Sequence, residues 1–219
     1  MTWGECKLIC LQTMFANEGI ALNADDSNQD YLYAMPGKAN EAMHQLATVG
    51  RPLLKRFWIN IREGGEEAED EEQLTLPAAE LEYQIDMTHY CPRFRTLVTD
   101  RLYLDAGNGD ANAEEWRLQG DSILCLPGST EGRYTVWYAA YPALVSTATE
   151  DEFRLDLPEE AAALVPLYMA GELYKEDELA MATVFRNEFE DGLAKLRQSY
   201  QESAKGGGFR SVRNTTGWW

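Results

Sequence analysis

Hydrophobic positions along the chain change period twice, from helical spacing to strand alternation and back. Near the start, Trp3, Cys6, Ile9, Cys10, Thr13 and Met14 fall on one stripe at helical spacing. Thr2-Trp3-Gly4-Glu5 fits a capping box, in which the Thr2 hydroxyl and the Glu5 carboxylate satisfy each other's orphan backbone amides. This predicts a helix to about Asn17, ended by Gly19, and then a polar loop from Asn23 to Gln29. A second helical pattern runs from Tyr31 to Val49, with Leu32, Met35, Ala39, Ala42, Met43, Leu46 and Ala47 inward. Pro36-Gly37 is expected to kink or split it, because proline removes a helical N–H donor. Gly50-Arg51-Pro52 stops it.

From Leu54 the period becomes two. Leu54, Arg56, Trp58 and Asn60 alternate with Lys55, Phe57, Ile59 and Ile61, and apolar groups on both sets predict a strand covered on both faces. In Glu63–Glu72 every residue except Gly64, Gly65 and Ala68 is acidic, so the stretch reads as a solvated loop. Four further strands are predicted over Glu80–Met87, Asp100–Asp105, Ser122–Leu126 and Arg133–Tyr141, and turn residues Gly128 to Gly132 predict that the last two pair as an antiparallel hairpin. His89-Tyr90-Cys91-Pro92 reads as an irregular crossing or a short helical turn.

Helical spacing returns at Asp156-Leu157-Pro158-Glu159-Glu160, a helix start with an early proline and carboxylates at the positive end of the dipole. Ala161, Leu164, Val165, Tyr168, Met169 and Leu173 form its buried side, with a bend at Pro166. After Lys175-Glu176-Asp177, a last helix to about Gln201 carries Met181, Ala182, Phe185, Phe189, Leu193, Leu196 and Tyr200 on one stripe, placed to pack antiparallel against its predecessor. The expected fold class is α+β: a helical bundle from the N- and C-terminal helices (1–53 and 153–202), an inserted antiparallel β unit (54–152) and an extended C-terminal arm (203–219).

Charge singles out that arm. Ser203–Trp219 has no acidic residue and carries Lys205, Arg210 and Arg213, which leaves residues 1–202 with 16 basic against 37 acidic groups. Gly206, Gly207 and Gly208 read as a hinge. Phe209, Arg210, Val212, Arg213, Trp218 and Trp219 read as a partner-binding strip, since two tryptophans at a chain end leave several hundred Å² of apolar surface wet unless another polypeptide covers them. A frayed terminus with chance aromatics is the alternative. The overall net charge of −18 argues against autonomous nucleic-acid binding, which needs clustered cations. No run approaches the ~20 apolar residues of a membrane span, and no signal peptide is evident, so a soluble protein made in the cytoplasm is expected.

Candidate chemistry is sparse. Cys6, Cys10, Cys91 and Cys125 form no metal-binding spacing with His44 and His89, and read as buried free thiols. Gly128-Ser129-Thr130-Glu131-Gly132 is not a nucleophile elbow, and Lys205-Gly206-Gly207-Gly208 is not a phosphate loop. Asn108, Asp110, Asn112 and Glu114 alternate oxygen ligands as calcium loops do, but the glycine and the terminal glutamate of such loops are missing, and a hairpin turn uses the same residues. Trp116, Trp137 and Tyr138 could stack on sugars. A carbohydrate- or calcium-dependent binding module is therefore the second reading, and an acidic hydrolase the third; no catalytic, cofactor or metal residue is assigned, and no enzyme activity is expected.

Three stretches together resemble the head-to-tail adaptor (head-completion or connector) proteins of tailed bacteriophages: Met1-Thr2-Trp3-Gly4-Glu5-Cys6-Lys7 with Leu11-Gln12, the strand Tyr134 to Pro142, and Leu164 to Asp177 continuing into Phe185-Arg186-Asn187-Glu188-Phe189-Glu190. The resemblance implies a structural virion protein of the head–tail neck. It implies a homo-oligomeric ring, usually twelve-fold, bound under the portal protein and meeting tail or neck proteins beyond. Double-stranded DNA would pass through the lumen without sequence-specific binding, and the C-terminal arm would insert at the portal. The Glu63–Glu72 and Asn108–Glu115 segments depart from the pattern.

Overall fold

The chain folds as an α+β protein, with two β-sheets among the described residues. A computed structural model describes residues 1–15, 28–64, 67–70, 72–107 and 109–206. In chain order the elements are α1 (Trp3–Phe15), α2 (Gln29–Gln45) with a π-helical turn (Leu46–Gly50), β1 (Leu53–Arg62), β2 (Ala68–Asp70), β3 (Gln73–Pro77), β4 (Glu82–Asp86), α3 (Met87–Tyr90) and β5 (Phe94–Asp105). They continue with β6 (Asp110–Asn112), β7 (Arg117–Gln119), β8 (Ile123–Pro127), β9 (Gly132–Ala140), α4 (Glu159–Ala162), α5 (Val165–Leu173) and α6 (Leu179–Gly206). The chain divides into a helical unit, residues 1–51 with 144–219, and a β unit, residues 52–143.

In the helical unit the capping box forms: the Thr2 amide donates to Glu5 Oε2 at 2.7 Å and the Glu5 amide to Thr2 Oγ1 at 3.2 Å. The next two amides of α1 donate to carbonyls from the far end of the chain, Trp3 to Phe153 (2.7 Å) and Gly4 to Asp151 (2.9 Å). That approach needs glycine, because a Cβ on residue 4 would lie 2.9 Å from the Asp151 Cβ. Trp3, Cys6, Cys10, Leu11 and Met14 are buried, whereas Ile9 is 38% exposed, so the stripe is rotated toward Leu11 relative to the expectation. Helix α2 is not split at Pro36. Proline forfeits the hydrogen bond to the Leu32 carbonyl, but the buried Met35, Pro36, Ala39, Ala42 and Met43 hold the turns on either side. Pro166 does more than bend its helix: α4 ends at Ala162, and α5 starts with Pro166 in its first turn. Tyr168 meets Phe189 edge to face, Glu172 bonds Arg186 and Leu164 reaches Gly192, so α5 and α6 run antiparallel. α6 continues to Gly206, beyond the Gln201 expected from its stripe. One core joins Trp3, Leu11, Met35 and Met43 from the N-terminal side to Tyr168, Met169, Phe185 and Phe189 from the C-terminal side.

The β unit is two sheets sharing one core. The larger has strand order β2-β3-β1-β9-β5-β6 and the smaller β4-β8-β7. Phe57, Ile59, Ile61, Tyr134, Val136 and Tyr138 of the larger sheet share a buried cluster with Ile85, Leu124 and Leu126 of the smaller. Four expectations are corrected here. First, the unit is not wholly antiparallel: β1 pairs with β3 in parallel, Trp58 opposite Gln73 through Arg62 opposite Pro77. The chain reverses through β2, which pairs antiparallel to β3 and leaves β3 between β1 and β2. Second, the acidic stretch is thus more than a loop, since Ala68–Asp70 forms an outermost strand whose carboxylates suit a sheet edge. Third, Ser122–Leu126 and Arg133–Tyr141 do not form a hairpin. β8 belongs to the small sheet and β9 to the large one, and the turn between them passes from sheet to sheet. Gly132 makes that passage with φ +146°, where a Cβ would meet the Asp105 carbonyl oxygen at 2.7 Å. Fourth, among the described residues β1 is fully covered on one face and partly on the other: Phe57, Ile59 and Ile61 are buried, while Leu54, Trp58 and Asn60 are half-buried and Arg56 is exposed.

Candidate functional site

Two arrangements in the β unit bring chemistry-bearing groups together. The first follows from the register of β1 and β9, which sets Arg56 opposite Trp137. The Arg56 guanidinium lies 5.3 Å from the Trp58 ring centroid and 5.5 Å from that of Trp137. Arg101 reaches the same Trp137 ring at 5.9 Å. It does so because β5 bulges: the register jumps from Leu97 opposite Tyr138 to Leu102 opposite Val136, leaving residues 98–101 against Trp137 alone. Guanidinium groups held over indoles are weakly hydrated and keep their in-plane N–H donors for an anionic or carbonyl partner.

The second arrangement is an open strand edge. One edge of β1 pairs with β9 from Leu53 to Ile61, but the other pairs with β3 only from Trp58 onward. The Trp58 amide donates to the Glu72 carbonyl at 2.9 Å on that second side. Backbone groups alternate sides along a strand, so the N–H and C=O of Leu54 and Arg56 face the same way, and no described residue pairs with them there. Beside this edge lies a cleft of about 1020 Å³ whose walls include Arg56, Trp58, Glu69, Glu72, Tyr90 and Pro92. Burial pushes the Tyr90 hydroxyl pKa up, and the nearby charges of Glu69 and Glu67 push it further. Neither arrangement was singled out in the sequence. The alternating aromatics of β1 were its visible signal, whereas the bulge and the short β3 that expose it were not visible.

The segment weighed for calcium binding includes a hairpin turn. Asp105 Oδ1 accepts from the Gly107 amide (2.9 Å) and the Gly109 amide (3.2 Å), and β5 and β6 pair around this turn as a hairpin. Asn108 and the side chain of Asp110 lie outside the described residues. Tyr138 is 3% exposed and Trp116 packs against the sandwich core, so Trp137 is the member of that trio which turns toward Arg56 and Arg101. Among the described residues no group of three or more His, Cys, Asp or Glu side chains is placed to hold a metal. All four cysteines are free and buried; burial pushes the Cys6 and Cys91 thiols up to about 12 and raises Cys10 and Cys125 as well.

In the helical unit a polar network ties α2, α5 and α6. Glu172, with a side chain 10% exposed, accepts from Arg186 at 2.9 Å and from Lys175 at 2.7 Å. The Arg186 guanidinium also lies over Tyr168 at 4.9 Å, and the Tyr168 hydroxyl donates to Glu41 at 3.1 Å. Burial alone would raise the Glu172 pKa. Hydrogen bonding by Lys175 and the charges of Lys175, Arg186 and Lys38 outweigh it and hold the carboxyl below its ordinary range. The network fastens the helices to one another.

Of the arm, Gly206 closes α6, while Gly207, Gly208, Phe209, Arg210, Val212, Arg213, Trp218 and Trp219 lie outside the described residues. Comparison of the chain with protein-family models and with curated proteins returns no match.

Proposed function

We propose that this protein is a non-enzymatic structural component of a tailed-bacteriophage virion: a head-to-tail adaptor that forms a ring under the portal protein, extends the DNA channel and joins head to tail. One observation carries the reading. Helices from the two ends of the chain share a single core, and α6 of that core leads directly into the acid-free strip that ends in Trp218 and Trp219. The stretches that carry the resemblance, Leu164 to Asp177 and Phe185 to Glu190, supply much of that core through Val165, Tyr168, Met169, Phe185 and Phe189. In this reading the helices are a bundle that holds the ring, usually of twelve copies, and the β unit is its insert.

The arm is the coupling device. Phe209, Val212, Trp218 and Trp219 are apolar anchors, and Arg210 and Arg213 pair with carboxylates on the portal. Gly206, Gly207 and Gly208 let the strip change course as it docks. The strongly acidic body suits a channel wall, because duplex DNA repelled by its lining slides rather than sticks. Tail or neck proteins meet the opposite end of the ring, no membrane is involved, and the protein is made in the host cytoplasm before it joins the virion neck.

Co-sedimentation with the portal ring of the same phage tests this. A chain ending at Lys205 is expected to keep its circular dichroism and to lose binding. A truncated chain that binds as well as the full one ends the adaptor reading of the arm. Calorimetry with calcium and with a glycan panel separates the binding-module reading, for which heat of binding is required and the adaptor reading expects none.

A further inference from the structure

We propose that the open edge of β1 is a docking slot for the C-terminal strip of a second copy of this chain, which enters as an added strand. The slot has the chemistry of a missing strand. Leu54 and Arg56 present backbone N–H and C=O groups on a side where no described residue meets them, and the ladder resumes one pair later with Trp58 and the Glu72 carbonyl. The five residues Leu53–Phe57 offer about 17 Å of edge at the usual rise per residue. An edge of this kind recruits an extended peptide through main-chain hydrogen bonds, with adjoining pockets selecting side chains.

The strip of this chain beyond α6 fits that slot on three counts. Phe209-Arg-Ser-Val-Arg-Asn-Thr-Thr216 is eight residues with Val212, Thr215 and Thr216 among them, a strand-compatible composition of sufficient length. It has no acid and carries Arg210 and Arg213, while the wall facing β1 carries Glu69 and Glu72 within the acid-rich 63–72 stretch. Of the basic side chains on the β1 wall, Arg56 is already drawn over Trp58 and Trp137. The aromatic walls Trp58 and Tyr90, with Pro92 beside them, suit Phe209 and a terminal indole. Glu69 and Glu72 thereby gain a role, as receivers of a basic strip.

This inference rests on the adaptor reading in one respect, that the strip docks outside its own chain. It gives the strip a host before any portal ring is met, from which the glycines release it. Strand exchange of this kind is head-to-tail and closes into a ring when the rotation per copy permits.

Hydrogen exchange on the full chain, read at the Leu54 and Arg56 amides over a concentration series, tests the proposal together with light scattering. Protection of both amides is expected at high concentration, in step with oligomer formation, and is expected to vanish on dilution. A synthetic peptide of residues 207–219 should restore the protection in the dilute chain while dispersing the oligomer. Leu54→Pro removes one edge N–H that meets no described residue, so it should leave the circular dichroism unchanged and weaken self-association about tenfold or more. Glu69→Lys with Glu72→Lys should weaken it by a similar factor and invert its salt dependence. Oligomers that form with Leu54 and Arg56 exchanging freely, or peptide binding that leaves both amides unprotected, would overturn the slot. So would a chain that stays monomeric throughout the series. Failure to bind the portal ring would instead count against the adaptor reading and leave these amide measurements standing on their own.

Discussion

The helical unit and the β unit solve the burial problem in opposite ways. The helical unit is made from both ends of the chain: α1 and α2 must wait for α5 and α6 to complete their core, and its first turn takes backbone carbonyls from Asp151 and Phe153. The β unit is one continuous stretch whose first and last strands pair, Leu53 opposite Ala140, so it closes on itself. Their polar groups differ in the same sense. Long side chains on helices reach inward to form the network of Glu41, Tyr168, Glu172 and Arg186. Strand alternation instead sends Arg56 outward and leaves aliphatic and aromatic groups inside. The contrast teaches that the helical unit depends on long-range closure and paired charge, and the β unit on register.

Core truncations break the comparison most strongly. Phe189→Ala, at a fully buried helical position, is expected to cost about 3–5 kcal/mol and to melt the helical signal first in a denaturant titration, with the β-unit tryptophans reporting a later transition. Ile59→Ala should cost about 2–5 kcal/mol and reverse the order. One coincident transition in both variants would show that the units do not unfold separately. A register-specific change comes next. Gly132→Ala is expected to cost about 1–3 kcal/mol in thermal unfolding, because its φ and the Asp105 carbonyl leave no room for a Cβ.

The charged network gives a smaller, pH-dependent effect. The folded-state pKa of Glu172 is depressed, so the network's stabilisation is present above the ordinary value of 4.5 and is lost as pH falls below it. Arg186→Met should cost about 1.5–3 kcal/mol at neutral pH and flatten the acid limb of the stability curve, whereas an unchanged acid limb would remove Glu172 from the account. The smallest effect is at the first cap: Thr2→Ala should lower the melting temperature by the equivalent of about 1 kcal/mol.

Much of this organisation was legible in the sequence because helices and central strands advertise their period. The capping box at Thr2, the stripe of α6 and strands β1, β4, β8 and β9 follow from spacing, whereas His89–Pro92 left a crossing and a short helical turn both open. Pairing was less legible. The Gly128–Gly132 turn has hairpin composition, yet β8 finds β4 and β7 while β9 finds β1 and β5, a choice made by non-local packing that no turn residue encodes. Strand β3 is five residues with two leucines, too short to announce itself, and β2 hides among carboxylates because an edge strand needs no apolar face. The open edge of β1 is a product of those two hidden strands, so it had no signature of its own. Arg56 was visible within an aromatic strand, but its stacking on Trp137 depends on the β1–β9 register, and that of Arg101 on a bulge.

The account turns on whether Trp218 and Trp219 are covered by another polypeptide. Photo-crosslinking from residue 218, in an assembly built from mixed heavy- and light-isotope copies with the portal ring present, measures this directly. Cross-links are predicted to join chains of different label, or this chain to the portal. Cross-links confined to residues of the same labelled chain would contradict the central claim.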